Sequence, residues 1–158
     1  MGAPLLRLAG TQHGLASVVV VCESIDLPRL ASTLGSLRQD RHAFCELLLV
    51  PVGDATPGVR AAVAESADPR ARVLPAQPTW QDAANTGADQ AAGRFLRFVR
   101  ACDVHRTDAL ADLVGAVAAS GSDLAIGGVD QRGRPAVWLE RMSQAVRASA
   151  GTARPVAR

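Results

Sequence analysis

The side chains best suited to chemistry crowd the end of one short apolar run. In the stretch Gly93 to His105, G-R-F-L-R-F-V-R-A-C-D-V-H, the segment Phe95 to Val99 gives way abruptly to Arg100, Ala101, Cys102 and Asp103, with His105 close behind. An arginine here could bind phosphate bidentately. Cys102, Asp103 and His105 are all competent transition-metal ligands and fall within four residues. A four-coordinate centre needs more partners, and the sequence carries no second ligand cluster, so a loop edge rather than a metal site is expected. The plain alternative for Arg100 is a solvated residue at a strand terminus, the ordinary situation of an arginine.

These residues need a sheet to position them. Phe95 to Val99 reads as a buried parallel strand, and in open α/β sheets ligands bind beyond the carboxyl ends of the strands. Ala16 to Cys22 and Cys45 to Val50 are further strand-like runs, the first built on four consecutive valines. A short strand is expected near 71–75 and a fifth strand near 123–129. Between them lie helical patterns. Leu27, Leu30, Leu34 and Leu37 form one apolar stripe, with Asp26 as the cap and Pro28 in the first turn. Thr56-Pro57 opens a second helix through about Ala67, stopped by Asp68-Pro69. Thr79 caps a third that runs to Gly93. Thr107 caps a fourth, striped by Leu110, Leu113, Val114 and Val117 and ended by Ser120-Gly121. Residues 137–149 offer a last amphipathic helix. The alternation predicts an α/β fold of three αβα layers, a mainly parallel sheet with right-handed crossovers, and the first strand between the second and the fourth. Cys22 and Cys102 then meet at one edge of the sheet. Residues 1–14 read as a leader, 15–149 as the domain and 150–158 as a flexible tail.

Composition narrows the class. The 158 residues are 48% hydrophobic and carry a net charge of +2, enough apolar content for one compact core. All 17 basic residues are Arg, scattered rather than striped, so no nucleic-acid face is expected. No apolar run approaches the ~20 residues of a membrane span. No secretory signal is evident, and a cytoplasmic location is expected. Three Cys at unrelated spacings form neither a disulfide framework nor a zinc signature.

The order of the pieces resembles the nucleotide-binding half of family-two glycosyltransferases, which have the GT-A fold. Ala16 to Ser24 lies where those sequences read V-S-V-I-I-P-x-Y-N. Leu30, Leu34, Ser36, Leu37 and Gln39 match L-x-x-x-L-x-S-L-x-x-Q. Glu46 to Asp54 resembles E-I-I-V-V-D-D-G-S, Ala83 to Gly93 resembles A-R-N-x-G-x-x-x-A-x-G, and Gly93 to Asp103 resembles G-E-Y-L-x-F-L-D-x-D-D. Residues 130–149 look like the continuation in actinobacterial proteins that join such a domain to a CDP-glycerol glycerophosphotransferase.

The resemblance implies a nucleotide-sugar site. In the family, acidic residues after the second strand hold uracil and ribose, and the D-x-D after the central strand holds ribose and a Mg²⁺ or Mn²⁺ that bridges the diphosphate. Here the first acidic pair is Pro51 and Val52, the Arg of A-R-N is Ala84, and the D-x-D is Arg100, Ala101 and Cys102. Scaffold positions such as Gly53, Asn85, Gly87 and Gly93 persist while ligand positions do not. The resemblance thus implies a truncated GT-A-like domain with degenerate chemistry, in cell-envelope polysaccharide or teichoic-acid type glycan synthesis. It would hold no metal, and its candidate substrate contacts are Glu23, Gly53, Asp54, Asn85, Arg100, Cys102 and Asp103. Two alternatives stay open: an active, metal-independent transferase using Arg100 and Asp103, and a protein-interaction module that kept only the fold. Asp54 either replaces the lost acidic pair or is a turn residue beside Gly53. Gly87 is explained by close packing on the sheet. Trp80 and Trp138 are expected to pack, and His13 and His42 to have no specific role. Self-association or a transferase partner is expected through residues 123–149, where Val137, Trp138, Met142 and Val146 share a helical face.

Overall fold

The structure, a computed structural model, describes residues 14–42 and 44–120. Four strands, β1 (Ala16–Cys22), β2 (Cys45–Pro51), β3 (Ala71–Val73) and β4 (Phe95–Arg100), form one parallel sheet in the order β3-β2-β1-β4. Helices α1 (Leu27–Arg38), α2 (Thr56–Ser66), α3 (Trp80–Gln90) and α4 (Ala109–Ser120) alternate with them, and a short 3-10 turn, Ser24–Asp26, follows β1. The expected α/β layering and the placement of β1 between β2 and β4 are both present. The expectations for the leader, the fifth strand, the helix over 137–149 and the tail lie outside the described residues.

The β-branched run explains why β1 is central. Every residue of β1 is buried, and its side chains divide between two cores. Val18, Val20 and Cys22 join Leu47 and Leu49 of β2 beneath Leu30, Leu34 and Leu37 of α1, Val59 of α2, and Leu110 and Val114 of α4. Val19 and Val21 join Leu48 and Val50 beneath Ala83 and Ala84 of α3, with Trp80 packed alongside. Each fully buried Val stabilises the fold by roughly 1.5–3 kcal/mol, so this strand is the chief cross-link between the layers.

Glycines set the spacing between layers. A Cβ on Gly87 would lie 2.3 Å from a Val19 methyl, so α3 rides directly on β1, as close packing requires. Gly93 does not simply end a helix, because α3 stops at Gln90. It passes so near β1 that a Cβ would sit 2.6 Å from the Ser17 nitrogen, and its own N–H donates to Ser17 Oγ at 2.8 Å.

Three local expectations are corrected. Thr107 does not cap α4. The helix begins at Ala109, and its first free N–H groups are taken by Asp40: Leu110 N donates to Oδ2 at 2.7 Å and Ala111 N to Oδ1 at 3.2 Å. β4 is less buried than a central strand should be, with Leu96 and Phe98 about 40% exposed (43% and 39%). Among the described residues it is an edge strand. His42 has a definite role: it is buried, its N–H donates to Asp40 Oδ1 at 3.0 Å, and its ring Nε2 bonds the Gly14 carbonyl at 3.1 Å.

Candidate functional site

At the carboxyl edge of the sheet β1, β2 and β4 end level with one another, since Cys22 pairs with Pro51 and Val21 with Arg100. The segments leaving these ends are joined side chain to side chain. Arg100, the last residue of β4, turns its guanidinium across to the segment after β1. Its Nη2 donates to Asp26 Oδ2 at 2.8 Å and to Glu23 Oε2 at 3.2 Å. The Arg100 side chain is only 20% exposed and that of Asp26 only 5%, so the solvated reading of Arg100 is overturned: this is a largely buried ion pair. Asp26 is no side-chain helix cap either, because its carboxylate faces Arg100 instead of the N–H groups of α1. Burial by itself would lower the Arg100 guanidinium, but the hydrogen bond and charge of Asp26, helped by Cys102 and Glu23, outweigh it and raise the net value.

The thiols of this edge are inert. Burial, with the Asp26 charge adding to it, pushes Cys22 up to about 12. Cys102 is pushed up chiefly by burial and then by the charge and hydrogen bond of Asp26. Both stay protonated near neutrality and are poor nucleophiles. Asp103 folds back on its own strand end: its Oδ2 accepts from Arg100 N at 3.0 Å, while its N–H donates to the Arg100 carbonyl at 3.1 Å. Asp54 is exposed and accepts from Ser24 Oγ at 2.6 Å, tying the segment after β2 to the one after β1. Gly53 takes a φ of 62° and donates its N–H to the Gln77 carbonyl at 2.9 Å, so Asp54 sits in the turn that glycine makes possible.

The structure therefore gathers Glu23, Gly53, Asp54, Arg100, Cys102 and Asp103 along one edge. Asn85 stands apart, exposed on α3, and makes none of these contacts. Ala84 is buried in the α3 core, and Pro51 and Val52 pack rather than present polar groups. Asp26 was missed as a site residue, since an Asp before a helix reads as a cap whatever else it touches.

Behind this edge lies a second polar group that sequence reasoning did not connect. Thr33 Oγ1 donates to the Ala101 carbonyl at 2.9 Å, and Ser36 Oγ accepts from His105 N at 3.0 Å, so α1 carries the segment after β4. Arg97 Nη2 lies 2.8 Å from His105 Nδ1. The guanidinium is the donor, so the neutral imidazole keeps its proton on Nε2. Burial, with Arg97 adding to it and Asp40 opposing, pushes His105 down to about 4. A histidine held neutral in the fold but free to protonate near 6.5 when unfolded stabilises the protein fully above pH 6.5. That stability is lost as pH falls toward 4. Between pH 7.5 and pH 5 the expected loss from this group is about 2 kcal/mol. Urea unfolding of the parent and of His105→Gln at both pH values checks this: the variant should lose that much less, and equal losses would exclude His105 as the source.

Residues 17–155 of the chain match the family model described as Glycosyl transferase family 2. No curated protein sequence matches the chain. Among solved structures, the mannosyltransferase PcManGT from Pyrobaculum calidifontis in complex with GDP-Man and Mn²⁺ aligns with a TM-score of 0.53 at 18% identity, over 63% of this chain and 30% of that one. S. aureus TarS 1–349 in complex with UDP aligns with a TM-score of 0.58 at 22% identity, over 77% of this chain and 38% of that one. The TarS 1–349 complex with UDP-GlcNAc gives 0.56 at the same 22% identity. At such identities the likeness is one of fold. The chain spans between 30% and 38% of the length of these structures.

The divalent cation that the family resemblance implies does not fit the residues at this edge. Of the residues that the resemblance sets against the D-x-D, Arg100 is a guanidinium already bound to carboxylates and Cys102 a thiol raised by burial, and the neighbouring Asp103 is turned onto a backbone N–H. Hard cations such as Mg²⁺ and Mn²⁺ require several oxygen ligands. Among the described residues no three His, Cys, Asp or Glu side chains gather as a metal-ligating group.

Proposed function

The chain belongs to glycosyl transferase family 2, and from that premise we propose that it is a nucleotide-sugar-binding domain that has lost metal-dependent transfer chemistry. The observation that carries this is the Arg100–Asp26 ion pair, whose guanidinium belongs to the residue that the resemblance sets against the first Asp of the D-x-D. The fold shared with proteins bound to UDP, UDP-GlcNAc and GDP-Man supports a nucleoside diphosphate sugar as the ligand class. A setting in bacterial cell-envelope or teichoic-acid type glycan synthesis, in the cytoplasm and beside a transferase partner or a second copy, is part of the same proposal. The likeness of residues 130–149 to the actinobacterial glycerophosphotransferase fusions supports it. An active transferase that grips the diphosphate with Arg100 is the less favoured reading, because the guanidinium would first have to leave Asp26.

Calorimetric titration of the whole chain with UDP, CDP and GDP and their sugar conjugates, once in EDTA and once in millimolar Mn²⁺, tests the proposal. Binding of at least one of them is expected, with the same affinity in both buffers and no sugar release. Binding that appears only with Mn²⁺ would restore metal-dependent chemistry. Failure of every nucleotide in both buffers would leave the protein-interaction module.

A further inference from the structure

We propose that Arg100 is a resident cation that bridges the ends of β1 and β4, at the strand end where the family resemblance implies a dissociable divalent metal. The inference rests on the family reading above and goes beyond it, because it assigns the carboxylates of this edge to a cation that is part of the chain. Asp26 is 4% exposed, and a carboxylate so enclosed needs a positive partner. Arg100 supplies one, donating from Nη2 to Asp26 at 2.8 Å and to Glu23 at 3.2 Å, so a single nitrogen bridges both carboxylates as a metal ion would. The other carboxylates of the edge are also served from within the chain, Asp54 by the Ser24 hydroxyl and Asp103 by the Arg100 N–H. Cys102, at the second ligand position, is a thiol bonded to Asp26. Each of these four carboxylates, among the described residues, thus has a built-in donor.

A covalently attached cation behaves differently from a bound one. It cannot depart with a diphosphate, and it offers donors in a plane rather than an open coordination sphere. The edge should therefore be closed to Mg²⁺ and Mn²⁺, and removing the guanidinium should open it.

Mn²⁺ alone, without nucleotide, is the probe, so the result does not depend on whether a nucleotide sugar binds. The electron paramagnetic resonance signal of free Mn²⁺ should be unchanged by the parent protein, whose melting temperature should be the same in 1 mM Mn²⁺ as in EDTA. Arg100→Asp replaces the guanidinium with a carboxylate facing Asp26 and Glu23. It should deplete the free-ion signal and melt roughly 3–6 °C higher in ~1 mM Mn²⁺ than in EDTA. Should that variant fail to fold without metal, Arg100→Gln adds no charge and should show a smaller gain of the same sign. One-to-one depletion of the signal by the parent protein would overturn the proposal, as would the absence of any Mn²⁺ response in both variants. Metal-free nucleotide binding, measured separately, would survive either result.

Discussion

Arg100→Met should destabilise the protein by about 3 kcal/mol, lowering its melting temperature by roughly 6–12 °C. The cost arises less from the lost attraction than from what remains. Asp26, with its side chain 5% exposed, would be left ionised or forced to take up a proton in a site built around a cation. The Glu23 contact adds little, because that side chain is 37% exposed and water replaces its partner cheaply. The companion variant distinguishes this account from simple loss of packing. Asp26→Asn combined with Arg100→Met removes both charges, and it should recover most of the stability that Arg100→Met alone loses. Urea unfolding of the parent, the two single variants and the double variant measures the coupling directly. Additive losses would mean that the pair is not coupled and that Arg100 matters only for its aliphatic stem.

Asp40→Ala is expected to cost a comparable amount, about 3 kcal/mol, although Asp40 lies two residues beyond α1 and far in sequence from the helix it serves. Its Oδ2 accepts from Leu110 N at 2.7 Å, and its Oδ1 accepts from Ala111 N at 3.2 Å and His42 N at 3.0 Å. Alanine strands all of these donors in a place where Asp40 itself is only 8% exposed. It also removes a negative charge from the positive end of the α4 dipole. Asp40→Asn keeps an acceptor oxygen and should lose about 1 kcal/mol. Amide hydrogen exchange locates the effect: Leu110 and Ala111 should lose more protection in Asp40→Ala than the amides of β1, which fall only by the global loss. Uniform loss across the sheet would show that Asp40 acts on the whole fold instead of on the start of α4.

The sheet was legible from the chain because its determinants are local. Ala16 to Cys22 is apolar and largely β-branched on both alternating sets of side chains, and only a strand covered on both faces can bury such a run. The leucine stripe of α1 and the Thr79 cap of α3, whose Oγ1 accepts from Asp82 N at 3.1 Å, likewise announce themselves within a few residues. Parallel order followed from the strand–helix alternation, and the level ending of β1, β2 and β4 placed Glu23, Asp54, Arg100, Cys102 and Asp103 on one edge, as their positions after the strands implied.

What these residues do there was decided only by the tertiary structure. Arg100 meets Asp26 across 74 positions of sequence, and Asp40 meets Leu110 across 70, so neither pairing leaves a mark in any local window. Asp26 before α1 and Thr107 before α4 both carry the local signature of a helix cap. In each case a long-range partner wins, because a buried carboxylate gains more from a guanidinium, and a buried helix end more from a carboxylate, than either gains from its neighbours in the chain. The same logic separates Cys102, Asp103 and His105. Three competent ligands within four residues of sequence are drawn apart by Asp26, the Arg100 amide and Arg97; Asp26 becomes a neighbour of Cys102 only once β4 is set beside β1, whereas the other two contacts form within β4 and the segment that follows it.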